Sequence, residues 1–84
     1  MAGLESIIKM LTEVMEDRNV PRNIRISVEE AKKMLEENDR EMDVKLSTAI
    51  SILDEITNDP NIPSYTRTQV WNIVSMLELA KNQL

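Results

Sequence analysis

The chain has 84 residues, 42% of them hydrophobic, with a single Gly, three Pro and no Cys, His or Phe. That length suits one domain, 1–84, whose core is only marginally stabilising, and the shortage of Gly and aromatic residues points to an all-α fold rather than a sheet with tight turns. Without thiol or imidazole there is no disulfide framework, no Ser-His or Cys-His nucleophile and no Cys/His metal site, while a net charge of −5 opposes phosphate backbones and anionic lipid.

The first periodic segment carries Leu4, Ile7, Ile8, Leu11, Val14 and Met15 at three- and four-residue spacing, the apolar stripe of an amphipathic helix. It runs into DRNVPRNIR, Asp17 to Arg25. Proline disfavours helical backbone in the residue before it, so Val20 should leave the helix, and Pro21 suits the first turn of the next one. The Asn19 side chain is expected to bond the loop backbone, with Val20 tucked beneath the turn. Ile24, Val28, Ala31 and Leu35 then mark a second helix. ENDRE, Glu37 to Glu41, supplies a turn in which Asn38 suits a left-handed conformation. Met42, Leu46, Ala49, Ile50, Leu53 and Ile56 give the third helix. DPNIPSYTR, Asp59 to Arg67, repeats the first corner, with Asn61, Ile62 and Pro63 in the roles of Asn19, Val20 and Pro21. The fourth helix shows Val70, Ile73, Val74, Leu77, Ala80 and Leu84.

Displacing the chain by 42 positions lays residues 7–42 on 49–84 with eleven identical pairs. They are Ile8/Ile50, Leu11/Leu53, Glu13/Glu55, Asp17/Asp59, Asn19/Asn61, Pro21/Pro63, Arg25/Arg67, Val28/Val70, Met34/Met76, Leu35/Leu77 and Glu36/Glu78. The matches cover both helices and the turn in register, so a shared local motif does not explain them. The expected architecture is a four-helix bundle made of two duplicated helical hairpins, about 4–40 and about 42–84. Asp at a helix end and Arg at the next helix start each oppose the helix dipole. Their repetition implies a structural corner in which Arg25 and Arg67 reach Asp17 and Asp59, or the last carbonyls of the preceding helix.

Positions that differ between the halves are free of that duty. Arg18 and Arg22 align with Pro60 and Ser64. With Arg25 they form a candidate anion site at the start of the second helix; the plainer reading is solvated charge beside Glu16 and Asp17. Trp71 aligns with Glu29 and Tyr65 with Asn23, and they are the chain's two aromatic residues. A rotation of about 100° per residue puts Trp71 roughly 120° from its core stripe, and Leu79 and Val44 nearly opposite theirs. Trp71, Leu79 and Val44 are therefore candidate interface residues, although Trp71 could instead span a seam between helices. Met10/Ile52 and Met34/Met76 occupy matching flanks that widen the buried face; an adaptable Met-lined groove is the alternative.

EENDREMD, Glu36 to Asp43, is acidic but lacks the central Gly and the ligand spacing of an EF-hand loop. There is no Gly-rich phosphate loop and no metalloprotease motif. The carboxylates have ordinary readings as helix-surface charge. No catalytic, cofactor-binding or metal-ligating residue is therefore predicted, and the protein is expected not to be an enzyme. No apolar run reaches the roughly 18 residues of a membrane span, and no basic segment leads into an apolar one at the start. A cytoplasmic location without membrane contact is expected.

ILDEITNDPNIPSYTRTQVWNIVSMLE, Ile52 to Glu78, resembles the small archaeal proteins of the uncharacterised family UPF0147, and NVPRNIR, Asn19 to Arg25, fits the same pattern. The resemblance extends over nearly the whole chain. It implies a compact four-helix bundle of archaeal origin, and it implies no activity and no site residues. A looser likeness is to HEAT repeats, whose helix pairs carry Pro, Asp and Arg at the corner, although here Asp and Arg stand eight apart. The functional expectation is an interaction or structural module with a protein partner or a second copy of itself. The alternative is an accessory factor holding nucleic acid or an anionic ligand at Arg18, Arg22 and Arg25, with nucleic acid disfavoured by the net charge.

Overall fold

A computed structural model describes residues 2–84. Four α-helices follow one another: α1 (Ala2–Glu16), α2 (Arg22–Glu36), α3 (Met42–Thr57) and α4 (Ser64–Asn82). No strand occurs among the described residues. The connectors, 17–21, 37–41 and 58–63, are too short to let a helix return parallel to its predecessor, so neighbours run antiparallel. Contacts join α1 to α2, α2 to α3, α3 to α4 and α4 back to α1, leaving the diagonal pairs apart. The result is a square four-helix bundle of 33 × 20 × 20 Å. Both Pro-containing corners lie at one end. The 37–41 loop, the start of α1 and the end of α4 lie at the other.

The stripes meet in one core. Leu11, Val14, Ile24, Val28, Ala31, Ala49, Leu53, Val70, Ile73 and Leu77 have no solvent exposure at all. Val20 and Ile62 are buried beneath the corners. Each helix touches two neighbours, so its buried face must be broader than one stripe. Met10, Met15, Ile50, Ile52 and Met76 supply that breadth, packed half-buried against the core.

Two features depart from the sequence reading. Leu84 is 66% exposed. It follows the stripe's phase, but α4 has 19 residues against 15 or 16 in the others. At about 1.5 Å per residue its last turn outruns the bundle. Asn38 is not left-handed, for no described residue has positive φ. The chain leaves α2 and enters α3 through extended backbone at Glu37 (ψ 142°) and Glu41 (ψ 149°) instead.

One layer of the core is unequal. Matching positions of the two halves place Ile7 and Ala49, Ala31 and Ile73 at similar distances from the corners. The α2–α3 side therefore carries two alanines, and the α1–α4 side two isoleucines. Small residues let helix axes approach more closely, and α2–α3 is the most extensive interface of the bundle while α1–α4 is the least.

Leu11→Ala and Leu53→Ala, each deleting a fully buried side chain, should lower unfolding free energy by about 2–5 kcal/mol. Leu84→Ala should change it by less than about 0.5 kcal/mol. Urea unfolding followed by circular dichroism distinguishes them; a comparable loss at Leu84 would place that side chain in the core after all.

Candidate functional site

At each corner the aspartate makes the turn. Asn19 N–H donates to Asp17 Oδ1 at 2.9 Å, and Asn61 N–H to Asp59 Oδ1 at 2.8 Å. The next amides close the same turns, Val20 N–H to Asp17 O (3.1 Å) and Ile62 N–H to Asp59 O (3.2 Å). The carboxylate is thus the side-chain acceptor, and Asn19 and Asn61 contribute backbone amides rather than their own side chains. Pro21 and Pro63 stand one residue ahead of their helices, with ψ of 146° in both. Their carbonyls accept the first helical bonds, from Arg25 N–H (3.1 Å) and Arg67 N–H (2.9 Å). A cap position needs extended backbone and a carbonyl already in the ladder, and proline meets both needs.

The arginines behave differently in the two halves. Arg67 donates from Nε to Thr57 O (3.1 Å) and from Nη2 to Asp59 O (3.4 Å), closing the carbonyl end of α3. Its target is the backbone and not the carboxylate. In the first half that arrangement is missing, and Arg25 Nε is buried with no hydrogen-bond partner. Asn23 Nδ2 instead crosses to Asp59 Oδ2 at 3.2 Å and ties the two corners together. The matching residue, Tyr65, points into solvent at 72% exposure.

Of the three arginines proposed for an anion site, the structure brings two together. Arg22 and Arg25 line a shallow depression of about 190 Å³ with Met15, Ile26 and Glu29. Arg18 is exposed and is not part of that lining. The carboxylate of Glu29 sits in the same depression, so its field is not purely cationic.

The outer face of α4 is a different surface. Trp71 and Leu79 are 54% and 63% exposed, so Trp71 does not fill a seam. With Tyr65 they are accompanied by exposed Thr68, Asn72, Ser75 and Asn82. None of these residues is charged, in a chain that is 30% charged. The helix has three charged residues, Arg67, Glu78 and Lys81; a rotation of about 100° per residue puts Arg67 and Lys81 on the core side of Trp71, while exposed Glu78 lies about 20° from Trp71 and edges this face. The first half carries Glu29, Glu30, Lys33, Glu37 and Arg40 where the second carries Trp71, Asn72, Ser75, Leu79 and Asn82. Comparing the halves by charge would have found this face from sequence. Val44 projects from the outer side of α3, as Ile26 does from α2, and neither joins the α4 surface.

At the end of the bundle away from the corners is a pocket of about 450 Å³. Leu4 and Ile7 of α1, Met42 and Leu46 of α3, and Met76, Leu79 and Ala80 of α4 form its wall, with Gly3 and Gln83. Sequence reading singled out Leu79 and Met76 without placing them at a common opening. Among the described residues no group of His, Cys, Asp or Glu is arranged to hold a metal ion, and no helix is long and apolar enough to cross a membrane.

Comparison with known proteins agrees with this architecture. The sequence model of the Uncharacterised protein family (UPF0147) matches residues 1–80. The chain belongs to this family. A UPF0147 protein of Methanocaldococcus jannaschii is 51% identical over 78 residues, which is 93% of this chain and 84% of that protein. One from Sulfurisphaera tokodaii is 42% identical over 81 residues, covering 96% and 91%. The crystal structure of a UPF0147 protein from Thermoplasma acidophilum superposes with a TM-score of 0.90 at 33% identity, over 93% of this chain and 92% of that one. That of the unknown-function protein MMP1188 gives 0.87 at 50% identity, over 90% and 86%. Three of these are named by family, MMP1188 is described as of unknown function, and none of the names states an activity.

Arg67→Met should cost about 1–2 kcal/mol, since two charged-donor bonds to carbonyls are lost from a half-buried side chain. Arg25→Met should cost less than about 0.5 kcal/mol, because no bond to its Nε is broken. Paired urea unfolding curves test the difference, and equal losses would mean that both corners are clamped.

Proposed function

We propose that this UPF0147 protein is a non-catalytic interaction module of the cytoplasm that associates with a second copy of itself through the outer face of α4. The observation that carries the reading is the run of exposed, uncharged residues from Tyr65 to Asn82, with Leu79 within it and Trp71 at its edge beside Glu78. Protein interfaces are marked at their centres by loss of charged residues and gain of aromatic ones, and Trp is over-represented among the side chains that dominate binding energy. Tyr65, Thr68, Asn72, Ser75, Leu79 and Asn82 follow one another at alternating three- and four-residue steps. That is the spacing by which two helices pair along a seam.

The choice of a second copy rests on charge. Each copy carries −5, so two copies repel wherever acidic surfaces meet. The outer face of α4, with Glu78 at its edge only, is where they approach at the least such cost. A basic partner would find better complementarity on the other helices. Association also adds stability to a core of this size by mass action.

Molar mass by sedimentation or light scattering over a dilution series tests the reading. The wild-type protein should shift from monomer to dimer as concentration rises. Trp71→Glu/Leu79→Glu should weaken association by at least about thirtyfold while leaving the helical spectrum unchanged. A wild-type protein that stays monomeric at the highest concentration would remove self-association.

A second reading is favoured by the unpartnered Nε of Arg25: an anion held between Arg22 and Arg25. Its expected signature is retention on immobilised RNA or phosphate at low salt, lost with Arg22→Glu. No retention of the wild-type protein at low salt would end it.

A further inference from the structure

We propose that the pocket at the open end of the bundle binds an unbranched aliphatic amine, its chain along the apolar wall and its ammonium at the mouth. Its volume of about 450 Å³ falls within the range of roughly 300–1,000 Å³ usual for small-molecule sites. Gln83 is the one polar side chain in the lining. Water inside would find too few of the two to four polar partners it needs, so replacing it with hydrocarbon is favourable. Met42 and Met76, unbranched and polarizable, can adjust to a chain's contour.

The two halves differ along the pocket's lining, and the difference shows what shape of occupant suits it. The pocket's Gly3, Leu79, Ala80 and Gln83 align with Lys45, Glu37, Asn38 and Glu41 of the other half. Lys45 is 8% exposed. A lysine so placed buries its aliphatic stem and keeps its ammonium toward water. Gly3 has no stem, and a Cβ built on it would meet nothing within 4 Å. An alkyl chain is thus absent from the α1 position where its α3 counterpart carries one.

The amine follows from charge at that end. Met42 lies between Glu41 and Asp43, and Glu36, Glu37 and Asp39 precede them in the same loop region. The basic side chains of the same end are Lys33, beside Glu36 and Glu37, with Arg40, Lys45 and Lys81, four against those five carboxylates. A cationic head is favoured there and a carboxylate is opposed. This inference does not rest on docking through α4, although Leu79 belongs to both surfaces, so binding is read at a dilution where the chain is monomeric.

Titration of the full chain with octylamine, 1-octanol and octanoate, followed by amide chemical shifts in two-dimensional NMR, tests it. Octylamine should give saturable shifts at Leu4, Ile7, Leu46 and Ala80, with affinity about tenfold above that of octanoate. Gly3→Ala should bind as the wild type does. Gly3→Met, which supplies an unbranched stem without a charge, should bind about tenfold more weakly or not at all. The absence of saturable shifts at those amides would overturn the site. Undiminished binding by Gly3→Met would overturn the chain's placement, and octanoate or octanol binding as well as octylamine would overturn the ammonium. Repeating the titration on Trp71→Glu, a substitution outside the pocket lining, separates failure of the site from failure of dimerisation.

Discussion

The constraint on which the bundle depends is the corner that buries an aliphatic residue beneath a proline. Val20 and Ile62 are nearly inaccessible, yet each sits in a connector where backbone amides need partners. The Asp17 and Asp59 carboxylates meet part of that need locally, so the chain can turn tightly while the Val or Ile plugs the core from above. A tight corner makes consecutive helices antiparallel. With both corners at one end, the 37–41 loop must span the other. The square arrangement follows, and with it the requirement that every helix bury two flanks.

The identical pairs account for this scaffold, and the bundle uses some of them unequally. Arg67 reaches two carbonyls, while Arg25 has an unpartnered Nε. Asn23 supplies a bond across to Asp59 that its counterpart Tyr65 cannot reciprocate. Such departures are expected where two hairpins of similar but unequal sequence pack against each other: a contact that one makes need not be returned by the other. The exchange of Ile7/Ala31 for Ala49/Ile73 has the same character. It conserves the total volume of the layer, as a close-packed core requires, but places the two alanines at the most extensive interface and the two isoleucines at the least.

Much of the fold was legible because it rests on periodicity. Stripes from Leu4 to Met15 and from Val70 to Leu77 need only helical spacing to be read. The choice of acceptor in the corner was not, since Asp17 and Asn19 are both short polar residues able to bond the backbone. Which of them does so depends on the backbone angles. Leu84 was misread because phase along a helix says nothing about whether a neighbour extends that far. The pocket was invisible for a related reason: its wall comes from three helices at one end, and a single stripe reports only the radial direction. The anion cluster lost Arg18 because adjacency in sequence at a turn does not give a shared direction.

The uncharged face of α4 and the pocket meet at Leu79, and the first half provides the physical argument that neither is needed for folding. There the same helix–corner–helix unit forms with Glu29, Glu30, Lys33 and Glu37 on the outer face and with Lys45 at the counterpart of Gly3. Charged residues at those places keep a helix solvated and discourage association. Exposed Trp and Leu do the opposite, and an apolar hollow forgoes contacts that a small core needs. A chain with so little core to spare could carry solvated residues at the second set of positions, as it does at the first. The Trp71, Leu79 and Gly3 positions thus depart from what the scaffold requires in the direction that favours contact with another molecule.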